Sequence, residues 1–135
     1  MKSTILTIVF AIAAFLGTQA QTHSVTVTIT GLENANGNLM LEMVDANDEV
    51  VKQAIQPLTA KTCTIELKDV KPGTYGIRFF HDENSNNKMD TGAFGIPKEG
   101  YGFSNDARGF MGPPDLEDML FEVKGDVKMN LKTVN

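Results

Sequence analysis

Cysteine is all but absent from this chain: Cys63 is the only one in 135 residues. A single cysteine forms no internal disulfide, so no framework of bridges holds the fold together. With two histidines in all, the chain also lacks the material for a Cys–His zinc cluster. Cys63 stands in "TCTIEL", in phase with Ile65 and Leu67, and reads as a small buried hydrophobe. No base lies beside it to make it a nucleophile, and pairing with a second chain is the one disulfide open to it. Basic residues are in deficit, 12 Lys and Arg against 17 Asp and Glu, for a formal charge of −5. That balance argues against nucleic acid or an anionic membrane as partner and is compatible with cations. The hydrolase signatures G-x-S-x-G and H-E-x-x-H are missing too.

Long hydrophobic runs are equally scarce. The one such run is "ILTIVFAIAAFLG", Ile5 to Gly17, shorter than the roughly 18 apolar residues expected of a span. Lys2 precedes it, and Thr18-Gln19-Ala20 puts small residues at −3 and −1 of a cut before Gln21. Residues 1–20 therefore read as a secretory signal peptide, leaving residues 21–135 as a single domain. No cysteine follows the cut to carry a lipid. The expected location is the periplasm, the cell envelope or the exterior.

Most of the remaining sequence alternates with period 2. Val25, Val27 and Ile29 face one way in "SVTVTIT", as do Leu39, Leu41 and Met43 in "NLMLEMVD" and Cys63, Ile65 and Leu67 in "TCTIEL". "TYGIRFF" sets Tyr75, Ile77 and Phe79 against Gly76, Arg78 and Phe80, and "LFEVK" and "DVKMNLK" continue the pattern. Six such runs, separated by turn residues in "NANG", "KPGT" and "KGD", predict half-buried strands. The expected fold is all-β, an antiparallel β-sandwich of immunoglobulin-like or prealbumin-like form. "DEVVKQAIQ", residues 48–56, is the one helix-like patch, since Val51, Ala54 and Ile55 recur at i, i+3 and i+4. It predicts a helical turn or two, or an irregular edge segment.

Residues 81–118 break the rhythm, with six glycines, three prolines and many Asn and Asp. A structureless insertion of that length is uncommon in a compact domain. Phe94, Ile96, Tyr101, Phe103, Phe110, Met111, Leu116 and Met119 lie in or just beyond it, so the expectation is a long Gly-rich ordered loop packed on the sandwich.

Its first part, "HDENSNNKMD", places an acidic or amide side chain at 82, 84, 86 and 90, every second position but for Lys88. Calcium takes six to eight oxygen ligands. Asp82, Asn84 and Asn86 fit positions 1, 3 and 5 of a loop around one ion, the Lys88 carbonyl position 7 and Asp90 position 9. Asn87 stands sixth, where a sharp bend is needed, and Asn is the residue other than glycine that best tolerates left-handed geometry. Ala93 occupies position 12, where an EF-hand has glutamate, and the flanks are not helical. The pattern is closer to calcium loops at strand ends in extracellular β-modules. Two local carboxylates predict a weak site, on the order of 10⁻⁴–10⁻³ M. Glu99, Asp106, Asp115, Glu117 and Asp118 are candidates to complete it. The other reading is an Asn/Asp-rich surface turn held by side-chain to main-chain hydrogen bonds. His81, at a strand end, reads as a half-exposed polar residue, or as a support behind the ligands.

The block "FFHDENSNNKMDTGAFGIPKEGYGFSNDARGFMGPPDLEDMLFEV", with "KPGTYGIRF" before it, resembles domain-of-unknown-function family 2141, a family of small exported bacterial proteins. Members typically show a PGTYA-type turn and strand, then HDENGNGKLDT, then segments like GIPKEGYGFSNNARG and GPPSFEDA. The corresponding stretches here are Pro72 to Ile77, His81 to Thr91, Gly95 to Gly109 and Gly112 to Asp118. The departures are Ser85 and Asn87, where the family often has glycine. The resemblance implies an exported β-domain without an assigned activity, and marks 81–118 as a unit. Within it, Arg108 is expected to pair with a loop carboxylate, the glycines to admit close backbone approach, and Asp115 to cap a helical turn after Pro113-Pro114.

Two function classes follow. One is a non-enzymatic module, stabilised by calcium, that binds a protein or glycan of the envelope or exterior through Tyr101, Phe103 and Phe110. The alternative is a small carboxylate-dependent hydrolase using Asp82, Glu99 or Asp106.

Overall fold

The computed structural model describes residues 21–135; the expected signal peptide, residues 1–20, lies outside the described residues. Eight strands follow one another: β1 (His23–Thr30), β2 (Asn38–Asp45), β3 (Val50–Pro57), β4 (Cys63–Val70), β5 (Gly73–Asp82), β6 (Tyr101–Phe103), β7 (Phe121–Val123) and β8 (Val127–Lys132). A single helical turn, α1 (Leu116–Met119), precedes β7, and 3-10 turns occupy Ala93–Gly95 and Ser104–Asp106.

The strands form two sheets. One has the order β4-β1-β8; the other has the order β3-β2-β5-β6, with β7 also paired to β5. β6 joins β5 at Arg78–Phe80 and β7 joins it at Gly73–Tyr75, so two short strands share one flank of a long one. The pairing is antiparallel except between β1 and β8, which run parallel from Val25↔Val127 to Thr30↔Lys132. The expected antiparallel sandwich is thus an all-β, two-sheet fold with one parallel pair, formed where the first and last strands meet.

The alternation read from the sequence is the alternation that is buried. Val25, Val27 and Ile29 meet Leu39, Leu41, Met43, Ile77 and Phe79 in one core, with Ile65, Leu67, Val123 and Leu131 around them. Burying one such aliphatic side chain stabilises by roughly 1.5–3 kcal/mol, so this shared inner face is what holds the sheets together. Cys63 belongs to the same cluster and is a free, buried thiol. Desolvation in the core pushes the Cys63 thiol pKa up.

Residues 48–56 depart from the helical expectation. Asp45 Oδ1 accepts the N–H groups of Asn47 (2.8 Å) and Glu49 (3.1 Å), and Asp48 adopts a left-handed φ of 62°. The chain reverses there and runs back as β3, an edge strand whose Ala54 opposes Leu41 and whose Ile55 opposes Met40. Ala54 packs on the core while Val51 and Ile55 are exposed at 44% and 58%. Pairing with β2 overrides a helical spacing that rested on three residues.

The 81–118 segment is also more regular than expected. β5 runs on through His81 and Asp82, which pair with Leu39 and Asn38 of β2. β6, two 3-10 turns and α1 punctuate the rest. Met119 is buried, but Phe110 and Met111 stand 94% and 92% exposed, so this stretch is not packed throughout. Asp115 occupies the N-cap position of α1 without a side-chain capping bond. Arg108 is exposed and, among the described residues, forms no ion pair with a loop carboxylate.

Candidate functional site

The polar loop hangs from the end of β5. Asp82 is fully buried there. Its Oδ1 accepts the Asn86 N–H at 3.2 Å and its Oδ2 the Asn87 N–H at 2.9 Å. Asn86 N–H also reaches Asn84 Oδ1 at 3.3 Å, and Lys88 N–H donates to Asn86 Oδ1 at 3.0 Å. The two amides then converge on Asp90: Asn84 Nδ2 donates to Oδ2 at 2.6 Å and Asn86 Nδ2 to Oδ1 at 2.8 Å. The Asn84 and Asn86 side chains are therefore drawn onto Asp90, while the Asp82 carboxylate holds the main chain of the same turn at Asn86 and Asn87. Lys88 is exposed.

The bend is made at two left-handed residues, Ser85 (φ 54°) and Asn87 (φ 62°). Asn87 takes the geometry its position required. Ser85 does as well, and these are the two places where the resembling pattern carries glycine. Beneath the loop lies the 34–38 turn. Asn34 Nδ2 donates to Glu83 Oε1 at 2.6 Å, and Asn38 Nδ2 to Ser85 Oγ at 3.3 Å. Gly37 (φ 67°) passes so close that a Cβ there would fall on the Asp82 carbonyl oxygen. "NANG" was legible only as turn chemistry; its role as the floor of the loop was not.

Glu99 is the residue that joins the loop's two ends. It is 5% exposed. Its Oε2 accepts the Glu83 N–H at 2.7 Å and its Oε1 the Asp90 N–H at 2.8 Å. Of the candidates to complete a cation site, Glu99 alone is shown bonded to the loop. Asp106 Oδ1 instead accepts the Lys132 N–H of β8 at 2.9 Å. Asp115 stands at the N-cap of α1 and Glu117 and Asp118 in its first turn, and α1 packs on β5 and the Ser104–Asp106 turn. Among the described residues, no three Asp, Glu, His or Cys side chains gather closely enough to hold an ion by themselves. A cation at this loop would depend on the Asn amides and on main-chain oxygen. The carboxylates considered for acid–base chemistry, Asp82, Glu99 and Asp106, are all engaged by main-chain N–H groups.

His81 is fully buried, not half-exposed. It shares its parity with Ile77 and Phe79, so the pleat turns it inward with them. Its Nε2 lies 2.6 Å from the Asn36 carbonyl oxygen. Since a carbonyl only accepts, Nε2 carries the proton. Nδ1 has no hydrogen-bond partner and lies 3.9 Å from Glu83 Oε1. The parity of position 81 was the sequence signal for this burial.

Beside the loop, the outer face of β2, β3 and β5 and the chain from Met89 to Pro113 enclose a trough of about 530 Å³. Met40, Ile55, Phe80, Met89, Tyr101 and Phe103 supply its apolar lining. Tyr101 and Phe103 meet edge to face, with ring centroids 6.1 Å apart. The Arg78 guanidinium at the trough is paired to Glu42 at 2.8 Å and Asp48 at 3.1 Å. Among the described residues, no helix is long and apolar enough to cross a membrane.

Comparison with curated proteins found no match. A family model described as "Uncharacterized protein conserved in bacteria (DUF2141)" matches residues 27–130, from β1 into β8, and the chain belongs to that family.

Proposed function

We propose that this protein is an exported β-sandwich module whose 82–90 loop binds calcium and thereby orders a surface for a protein or glycan partner of the cell envelope or exterior. The observation that supports the cation most directly is the convergence of Asn84 and Asn86 on Asp90 within one turn whose main chain is held by the fully buried Asp82 carboxylate. In this reading the ion takes the centre now bridged by amide hydrogens. The Asn84 and Asn86 amides turn their oxygens toward it, Asp82 and Asp90 supply charge, and the Lys88 carbonyl and water complete the shell. An all-oxygen donor set suits a hard cation. The imidazole of His81 is held behind the loop by Asn36.

The partner surface is the trough next to the loop. Asn87 and Met89 belong to the loop and also line the trough, so ordering one shapes the other. Phe110 and Met111 add large exposed apolar groups on the same segment. Exposed apolar groups clustered beside a concave face are a mark of interaction sites.

Thermal denaturation in calcium and in chelator tests the cation. Calcium at about ten times its dissociation constant stabilises by about 1.4 kcal/mol. For a domain of this size the melting temperature then rises by roughly 3–8 °C. Superimposable curves in chelator and at about 10 mM calcium, ten times the weaker end of the expected dissociation constants, would defeat the reading.

A further inference from the structure

Resting on the calcium reading, the structure assigns Glu99 as a positioning residue for the cation loop: its one carboxylate holds the main chain at both ends of the ligand run and so sets affinity without touching the ion. The two N–H groups it accepts are those of Glu83, directly after the first acidic ligand Asp82, and of Asp90, the last. Fixing those two points fixes the gap between the only two charged ligands. The neighbours of Glu99 reinforce the hold. Lys98 N–H donates to the Asp90 carbonyl at 2.8 Å, and His81 N–H to the Gly100 carbonyl at 2.7 Å. Residues 98–100 thus run between the two ends of the loop, anchored to both.

The chemistry requires a carboxylate. Two main-chain donors approach two different oxygens, and the carboxyl group of Asp or Glu offers an oxygen to each. Glutamine keeps the shape but turns an NH₂ toward one of the N–H groups, removing a bond and setting donor against donor. Aspartate keeps the charge but is one methylene shorter, so it reaches one N–H and releases the other. Each Glu99 oxygen accepts one main-chain N–H and 5% of the residue is exposed, so the carboxylate is held on the span between the loop's two ends.

The test combines calcium titration of wild type, Glu99→Gln and Asp82→Asn/Asp90→Asn with amide hydrogen exchange in chelator. Removing a group that orients metal ligands typically lowers affinity by about 10–100-fold, and a loss in that range is expected for Glu99→Gln. The calcium-induced rise in melting temperature should shrink in proportion. A merely structural Glu99 would lower the melting temperature equally with and without calcium and leave affinity unchanged; that result overturns the proposal while the calcium reading stands. If wild type takes up no calcium, both fall. Exchange separates the clamp from the ion: the Glu83 and Asp90 amides should be slow in metal-free wild type and fast in Glu99→Gln, and fast exchange in wild type overturns the proposal. Should Glu99→Gln not fold, Glu99→Asp serves, with one of the two amides deprotected and affinity reduced.

Discussion

On β5, Ile77 falls between the stretch paired with β6 and the stretch paired with β7, and its N–H finds the Ser104 hydroxyl at 2.9 Å. The same hydroxyl donates to the Met119 carbonyl, and Ser104 is fully buried. Ser104→Ala strands both groups in the interior. A buried unpaired polar group costs about 1–3 kcal/mol, and urea denaturation should show a loss in that range. Ser85 makes the opposite prediction. A left-handed residue with a side chain is strained by roughly 1–2 kcal/mol, part of which glycine relieves. Ser85→Gly should therefore raise the melting temperature, less the weak 3.3 Å bond from Asn38. Cys63 gives a pH dependence. Its folded pKa is raised by burial, so the unfolded thiol ionises first. The stability of the neutral buried form is fully present below the ordinary thiol range and is lost as pH climbs through the raised value. Denaturation at neutral and alkaline pH should show wild type losing more than Cys63→Ala.

At the level of elements, six strands were legible because each buries one face, and a one-sided environment writes itself into the sequence with period 2. β3 was read only as a helical turn or an irregular edge segment, because none of its residues is fully buried to mark an inner face, and Val51, Ala54 and Ile55 happen to share a helical spacing as well. Substitution separates the two readings. In a helix, Val51 and Ile55 would be buried together with Ala54. In the edge strand Ile55→Thr should be within about 0.5 kcal/mol of wild type. Leu41→Ala, on the buried face of the adjacent strand, should cost about 2–5 kcal/mol. β6 escaped notice because three residues are too few to show a period. The extension of β5 through His81 was legible in its parity but hidden by the polar residues that follow. Of the loop itself, the alternating oxygens and the left-handed Asn87 could be read in advance. The clamp could not, since Glu99 acts on main-chain N–H groups 16 and 9 residues away, and no side-chain pattern records such a partner.

For the whole molecule, these features share one economy of design. Two sheets close a core without disulfides, and the irregular crossing between β5 and β7 is secured by a few buried polar groups: Asp82, His81, Glu99 and Ser104. Three of these four lie at or beside the 82–90 loop, so anything that orders the loop orders the crossing and the trough beside it. The negative balance of charge, −5 overall, favours a cation in that role. The central claim is that oxygens spaced two residues apart share a calcium ion. Isothermal titration of calcium into the purified protein tests it most directly, run beside the Asp82→Asn/Asp90→Asn variant. The account predicts saturable one-to-one binding with a dissociation constant on the order of 10⁻⁴–10⁻³ M in wild type, and none in a folded variant. No saturable heat in wild type, or equal heats in both proteins, would contradict it.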